Sequence, residues 1–375
     1  MEAGVEEDGV VSVERAIMGL MAMGAVVGGL DRMLGNRLGL GKRFEDGFLL
    51  MGSTALSMVG ILCLVPLLSG FLEQIAGPLC RRAGIDPAML AGILAIDMGG
   101  YQMAVNLAKS PLLGRYSGIL VAATLGCTVT FTIPVGMGML GDTDRPDFAR
   151  GILFGLVAMP FGLLIGGCLC KIPVAEWLWQ NLPVLVLSAL LLIGIWRWTG
   201  VMVRGFSWFA RGIQWVTTLG LVAGAVQSMT GLRLIPGLAP IEEGLAVVGS
   251  IGVVMLGSLP LAEVLQRVLK RPLTWAGEKT GMNPASVTGL LIGMVSVLPA
   301  IVLVHEMDRR GKIVNAAFMV CSASAFAAHL GFAAGVDEKM ILPLLATKLL
   351  GGAIGVAIAL AATRGLCGEG ASERA

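Results

Sequence analysis

Long runs of apolar residues, separated by short charged or polar connections, recur along the whole chain. Most runs approach or exceed the roughly 20 residues that an α-helix needs to cross the hydrocarbon core of a bilayer. The pattern therefore predicts eleven membrane spans, at residues 16–34, 47–72, 88–108, 113–140, 147–170, 181–203, 207–231, 243–269, 285–307, 313–335 and 339–363.

The composition agrees with a chain that lies mostly inside a membrane. Of the 375 residues, 56% are hydrophobic and 14% are charged, whereas an average soluble domain has about 25% charged residues. The mean hydropathy is +0.84. These values predict an all-α polytopic membrane protein of about 10–11 transmembrane helices. We expect a multi-pass protein surrounded by the lipid bilayer.

Several classes of partner and chemistry are not expected from this sequence. The net charge is only +2, and no basic cluster alternates with aromatic residues, so nucleic acid is not a predicted partner. The HEMDR segment at His305 lacks the second histidine of a zinc hydrolase motif. No clustered nucleophile and base appears, so we expect no catalytic residues, no metal, no cofactor and no enzyme activity. The sequence leaves open whether the chain forms a homo-oligomer.

An internal repeat relates the two halves of the chain. Residues 45–94 align without a gap with residues 242–291, at a constant offset of 197. Glycine and proline matches mark backbone positions and are more specific than leucine matches in an apolar chain. The coincident pairs are Gly47 with Gly244, Gly52 with Gly249, Gly60 with Gly257, Gly84 with Gly281, Gly92 with Gly289 and Pro87 with Pro284.

The repeat predicts a division of the chain into two transmembrane units around a linking segment. The predicted boundaries are an acidic polar segment at 1–14, a first repeat at 15–172, a link at 173–204, a second repeat at 205–364 and a tail at 365–375. Six segments separate equivalent ones, which means parallel repeats if every segment crosses the membrane. Inverted repeats require that one intervening segment, such as the sixth or a re-entrant piece elsewhere, does not cross.

Asp97 is the strongest candidate for a functional residue. It lies about halfway along the predicted span 88–108, and a carboxylate at mid-membrane depth costs several kcal/mol unless it is paired. Gly99 and Gly100 follow it and weaken the helix, so the DMGG segment predicts a discontinuous helix that carries an anion. Such a site suits an ammonium-bearing solute. The alternative is a structural aspartate paired with a lysine, for instance Lys109 or Lys348.

Further polar residues on apolar spans complete the predicted substrate site. His329 is one of two histidines in the chain, and Thr128 and Asn315 lie on other apolar segments. Each of these side chains can instead connect neighbouring helices by hydrogen bonds. The prediction is that Asp97 pairs with an ammonium group near Gly99 and Gly100, while Thr128, Asn315 and His329 bind a hydroxyl.

Four segments resemble the ethanolamine utilisation permease family, EutH. They are FEDGF at 44–48, MLAGILAIDMGG at 89–100, RGKIVNAAF at 310–318 and HLGF at 329–332, and the resemblance covers nearly the whole chain. It implies uptake of ethanolamine, a small cation at neutral pH, across the cytoplasmic membrane. We expect a carrier with alternating access, and the alternative is a channel or facilitator for a small polar solute.

Overall fold

The computed structural model describes the backbone of residues 3–94 and 97–364, and most side chains from residue 13 onward within these ranges. This part of the chain is almost entirely helical and contains no strand. Its helices are α1 (Ala3–Met33), α2 (Leu40–Ala83), α3 (Ala88–Leu94), α4 (Tyr101–Leu107), α5 (Pro111–Arg115), α6 (Ile133–Met139), α7 (Arg145–Leu169), α8 (Val174–Gln180), α9 (Leu182–Thr230), α10 (Ile241–Thr280), α11 (Pro284–Gly293), α12 (Val297–Val302), α13 (Arg309–Ser322), α14 (Ala328–Val336) and α15 (Ile341–Ala362).

Shorter helical segments connect several of these helices. Two π-helical stretches, Tyr116–Gly126 and Thr128–Thr132, join α5 to α6 and make one continuous helical segment from 111 to 139. Turns of 3₁₀-helix occupy Asp97–Gly100, Leu303–Glu306 and Glu338–Met340. The predicted tail at 365–375 lies outside the described residues.

Seven helical segments in the described ranges are long and apolar enough to cross a membrane. This confirms the predicted class, an all-α polytopic membrane protein. α9 is sharply kinked at Trp198, where φ is −138° and ψ is 49°. The seven segments are Val13–Met33, Leu40–Ala83, Pro111–Met139, Arg145–Leu169, Leu182–Met202, Ile241–Thr280 and Glu338–Ala362.

The structure differs from the eleven-span prediction at 88–108, which forms a re-entrant hairpin. Asp86, just before α3, accepts hydrogen bonds from the backbone N–H groups of Lys109 and Ser110, just after α4, at 3.0 and 2.9 Å. The two ends of this segment therefore meet on one side of the molecule. We call residues 88–107 hairpin 1.

The segment predicted as a span at 285–307 behaves in the same way. The Asn283 backbone N–H donates to Asp308 Oδ1 at 2.8 Å, and the Asn283 side-chain amide donates to the Glu306 carbonyl at 2.8 Å. Ser286 Oγ also donates to Asp308. We call residues 284–306 hairpin 2. In each hairpin, an apolar run that is long enough to span a membrane folds as short helices whose ends meet on one side. Hairpins 1 and 2 therefore do not cross the bilayer.

The two hairpins open on opposite faces of the molecule. Arg115, at the start of segment 111–139, pairs with Asp337, at the end of α14, at 3.2 Å. Lys312, in the first turn of α13, pairs with Asp144, which follows α6, at 2.7 Å. Segments 111–139 and 309–336 are therefore antiparallel. Face A is the side with Asp86, Arg115 and Asp337, and face B is the side with Asp144, Asp308 and Lys312.

The bounds of the helices follow the offset of 197 across the described residues. α3 corresponds to α11, segment 111–139 to α13 and α14, and α7 to α15. Gly84 and Gly281 both end a long helix in the left-handed conformation, with φ of 66° and 70°. This correspondence supports the predicted repeat, and the antiparallel segments favour its inverted form. The domain boundaries stay predictions.

Gly60 and Gly257, which are equivalent at this offset, lie where long helices approach each other closely. A Cβ on Gly60 would clash with the Thr217 carbonyl of α9, and one on Gly257 would clash with the Met21 carbonyl of α1. Because both obstacles are backbone, a neighbouring helix would have to shift. We expect Gly60→Ala or Gly257→Ala to destabilise the protein by about 1–3 kcal/mol.

Thermal unfolding in detergent tests this expectation. The matched control is Gly52→Ala, because no heavy atom lies within 4 Å of a Cβ at that helical position. Gly52→Ala should leave the melting temperature unchanged or raise it slightly, since alanine is the better helix former. Equal melting temperatures for all three variants would contradict the close packing.

Candidate functional site

The tip of hairpin 1 lies in the interior, beside the middle of α2. The α-helix is interrupted between α3 and α4, where Asp97–Gly100 form a 3₁₀ turn. Gly99 and Gly100 are buried, and a Cβ on Gly99 would lie 3.5 Å from the Ile61 side chain. The Asp97 side chain lies outside the described residues. The predicted discontinuity is thus present at the DMGG segment.

The first residue of α4 ties this tip to α14. The rings of Tyr101 and Phe332 meet edge to face, with centroids 5.7 Å apart. Phe332 lies one turn beyond His329, a predicted site residue. The tip of hairpin 1 therefore lies close to the second repeat, near the start of α14.

A second interrupted region lies at the tip of hairpin 2. α11 ends at Gly293, and the chain is non-helical at 323–327 between α13 and α14. The Ser324 backbone N–H donates to the Gly293 carbonyl at 3.0 Å, and the Phe326 N–H donates to the Met294 carbonyl at 2.9 Å. Ser324 has a φ of 54°, in the left-handed region. Two breaks in separate segments are thus joined by main-chain hydrogen bonds.

Lys348 of α15 lies beside the break at 323–327 and is fully buried. Its Nζ donates to the carbonyls of Ala123 at 2.7 Å and Cys321 at 3.0 Å. Ala123 lies in a π-helical stretch and Cys321 in the last turn of α13, so one ammonium group joins the two antiparallel segments. The sequence predicts for Lys348 only an alternative role as a partner of Asp97. Its position within the apolar run 339–363 was the signal for a wider role.

Thr128 and His329 lie around the same break. Thr128 Oγ1 donates to the Val320 carbonyl at 3.0 Å, and His329 Nδ1 lies 3.0 Å from the Ala323 carbonyl. Since a carbonyl only accepts, this hydrogen bond requires that Nδ1 carries a proton. Both side chains are buried. The structure therefore brings Thr128, His329 and Lys348 together around residues 320–324.

Asn315 lies apart from this cluster, near the base of hairpin 2. Its side-chain amide donates to the carbonyls of Ser286 at 2.8 Å and Gly311 at 2.9 Å. Seven helical residues, or about 10 Å, separate it from Ser322 at the end of α13. Asn315 Oδ1 is buried without a hydrogen-bond partner among the described residues. Asn315 thus connects hairpin 2 to α13 instead of facing the breaks.

Lys109, the other lysine considered as a partner for Asp97, lies at the base of hairpin 1 on face A. Its backbone follows α4, at the opposite end of the hairpin from the Asp97–Gly100 turn. In the described parts of the chain, no three His, Cys, Asp or Glu side chains gather as a metal site would require. Among the described residues, the polar groups at the centre are backbone groups, the Thr128 hydroxyl, the His329 imidazole and the Lys348 ammonium group.

Known proteins resemble the chain over most of its length. The family model described as "Ethanolamine utilisation protein, EutH" matches residues 13–362. "Probable ethanolamine permease EutH" of Listeria monocytogenes serotype 1/2a (strain 10403S) is 40% identical over 351 residues, covering 93% of this chain and 94% of that protein.

Two further relatives extend this comparison. "Uncharacterized protein YxeR" of Bacillus subtilis (strain 168) is 38% identical over 93% of this chain and 95% of its own length. "Probable ethanolamine permease EutH" of Escherichia coli (strain K12) is 35% identical, covering 89% of both chains. No solved structure matches this one.

Proposed function

The chain belongs to the EutH family of ethanolamine utilisation proteins, and we propose that it is a permease that carries ethanolamine across the cytoplasmic membrane. Two of its relatives carry the name of a probable ethanolamine permease. The proposed activity is transport and not catalysis. The proposed substrate is a small alcohol that carries an ammonium group.

The observation that carries the proposal is the meeting of interrupted helices inside an apolar helical body. Hairpin 1 turns at Asp97–Gly100, hairpin 2 turns after Gly293, and the break at 323–327 bonds directly to the second turn. Non-helical backbone at membrane depth is tolerated where it is buried in protein or lines a polar cavity. In transporters, such breaks supply backbone groups that bind substrates near the midplane.

The proposed substrate site combines these breaks with the nearby side chains. Asp97 is assigned to the ammonium group, and backbone groups at Gly99 and Gly100 complete that end of the site. Thr128 and His329 are assigned to the hydroxyl, since both lie at the break in segment 309–336. Asn315, with its contacts to Ser286 and Gly311, is assigned an indirect role as an anchor of hairpin 2.

The opposed hairpins suggest how the site reaches both sides of the membrane. Hairpin 1 enters from face A and hairpin 2 from face B, as inverted repeats of 15–172 and 205–364 around the link 173–204 would provide. Movement at hairpin 1 would open the site to face A, and movement at hairpin 2 would open it to face B. This is the proposed form of alternating access.

The distribution of basic residues supports an orientation with face B in the cytoplasm. Cytoplasmic ends of membrane helices carry an excess of Lys and Arg. The course of the helices from the two faces places near face B Arg32, Arg37, Lys42, Arg43, Arg145, Arg150, Arg197, Arg204, Arg267, Lys270, Arg271, Lys279, Arg309, Arg310 and Lys312. Those near face A are Arg15, Arg81, Arg82, Lys109, Arg115, Lys171, Arg233 and Lys339. Hairpin 1 would then open to the outside.

Uptake of labelled ethanolamine into liposomes that contain the purified protein tests the proposed substrate. We expect uptake that saturates and that unlabelled ethanolamine inhibits, because a single carboxylate site holds one cation at a time. Protein-free liposomes give the background. Uptake no faster than this background would contradict the assignment of ethanolamine.

A further inference from the structure

A small polar cavity opens on face A, next to hairpin 1. It has a volume of about 180 Å³ and lies between the middle of α2, the helix α4 of hairpin 1 and the beginning of α10. We call it the vestibule. The residues that line it are Leu62, Val65, Pro66, Gln102, Asn106, Ala239, Pro240, Glu243, Gly244 and Val247.

The polar groups of the vestibule suit a small organic cation. Glu243 supplies a carboxylate, and Gln102 and Asn106 supply two side-chain amides that can donate or accept hydrogen bonds. Pro66 has no backbone N–H, so it cannot donate the usual helical hydrogen bond to the Leu62 carbonyl, four residues earlier. The Leu62 carbonyl in the α2 wall therefore lacks this helical donor.

The vestibule lies along hairpin 1, between face A and the hairpin tip. Gln102 comes two residues after Gly100, and Asn106 lies one helical turn further towards the base. The base of the hairpin is closed on face A by Asp86. One helix, α4, thus presents polar side chains from the outer end of the hairpin to the turn at Asp97–Gly100.

We propose that the vestibule is an outer binding site for a small hydroxylated ammonium ion, which it holds before the ion reaches the tip of hairpin 1. This inference rests on the proposed permease function. Glu243 pairs with the ammonium group, and the amides of Gln102 and Asn106 bind the hydroxyl. Drug-sized ligands occupy pockets of about 300–1,000 Å³, so the smaller vestibule suits a solute of a few heavy atoms.

Glu243→Gln tests the role of the carboxylate, with Glu242→Gln as the matched control. Glu242 is the adjacent residue and is also exposed, but its carboxylate accepts a hydrogen bond from Ser228 and does not line the vestibule. In proteoliposomes at low ionic strength, we expect Glu243→Gln to raise the half-saturation concentration for ethanolamine about three- to tenfold. The maximal rate of Glu243→Gln should change less than about twofold. In Glu242→Gln, the half-saturation concentration and the maximal rate should both stay within about twofold of the wild-type values. Added salt should reduce the difference, because exposed charges are screened.

A measurement of occupancy decides the proposal independently of transport. In an Ala239→Cys variant, which places a thiol on the vestibule wall without removing a proposed binding group, modification of residue 239 by a charged thiol reagent added at face A is followed by mass spectrometry. Saturating ethanolamine should slow this modification, and the protection should be lost when Glu243→Gln is added. Absence of protection, or protection that does not depend on Glu243, would overturn the vestibule.

The two measurements separate the vestibule from the proposed function. If the wild-type protein transports ethanolamine and Glu243→Gln has the same half-saturation concentration, the outer site is overturned and the permease function stands. Protection at residue 239 without any uptake would support the outer site and count against the proposed transport.

Discussion

Asp97→Asn should reduce ethanolamine uptake about 100-fold or more at subsaturating concentration. The substitution keeps the shape of the side chain but removes the charge that the proposed site offers to the ammonium group. A charge-assisted hydrogen bond contributes about 1.5–3 kcal/mol, and each 1.4 kcal/mol corresponds to about tenfold in affinity. The neighbouring Gly99 and Gly100 are buried, and a charge pair is stronger in an environment of low dielectric constant than in water. Initial rates of uptake into proteoliposomes measure the effect.

Asp142→Asn is the control for this substitution. This variant also loses a carboxylate, but the Asp142 side chain is 94% exposed and pairs with Arg145 on the surface. It should transport at close to the wild-type rate. A folded Asp97→Asn protein with wild-type uptake would show that the carboxylate does not bind the substrate, in favour of the structural role considered for it.

Lys348→Met should lower both thermal stability and uptake. The substitution fills a similar volume but leaves the carbonyls of Ala123 and Cys321 without the ammonium donor that joins them. A buried polar group that loses its partner costs about 1–3 kcal/mol. Because these carbonyls belong to the two antiparallel segments, the region around Thr128 and His329 should loosen as well. Thermal unfolding in detergent and uptake at 25 °C measure the two effects.

Lys270→Met provides the comparison, since Lys270 is an exposed lysine on α10. It should change the melting temperature by less than the Lys348 variant and leave uptake intact. If Lys348→Met melts at the wild-type temperature, the ammonium group does not stabilise the contact between the two segments.

The sequence predicted most of the architecture, because apolar runs report where helices lie. It failed to predict that 88–108 and 285–307 return to the face from which they start. A hairpin of two short helices has the same apolar composition as a single span, so hydropathy cannot separate them. The distinguishing contacts are those of Asp86 with residues 109 and 110 and of Asn283 with Glu306 and Asp308. These contacts join residues more than 20 positions apart, beyond the reach of a local pattern.

The candidate site was predicted in part for a similar reason. The pair Gly99 and Gly100 marks the break in hairpin 1, since glycine weakens a helix in any context. The break at 323–327 has no glycine or proline to mark it. It depends on hydrogen bonds from Ser324 and Phe326 to hairpin 2, which only the folded chain brings within reach. Asn315 is polar, as a substrate-binding residue would be, but the sequence does not indicate that its amide bonds to the carbonyls of Ser286 and Gly311.

Counterflow of ethanolamine tests most directly the claim that the two hairpins open one site alternately to the two faces. Proteoliposomes are loaded with unlabelled ethanolamine, and the initial uptake of labelled ethanolamine is compared with that of unloaded vesicles. An alternating carrier returns faster with substrate than without it, so we expect accelerated, saturable uptake into the loaded vesicles. Uptake that rises linearly with concentration and does not depend on internal ethanolamine would contradict alternating access and indicate a channel.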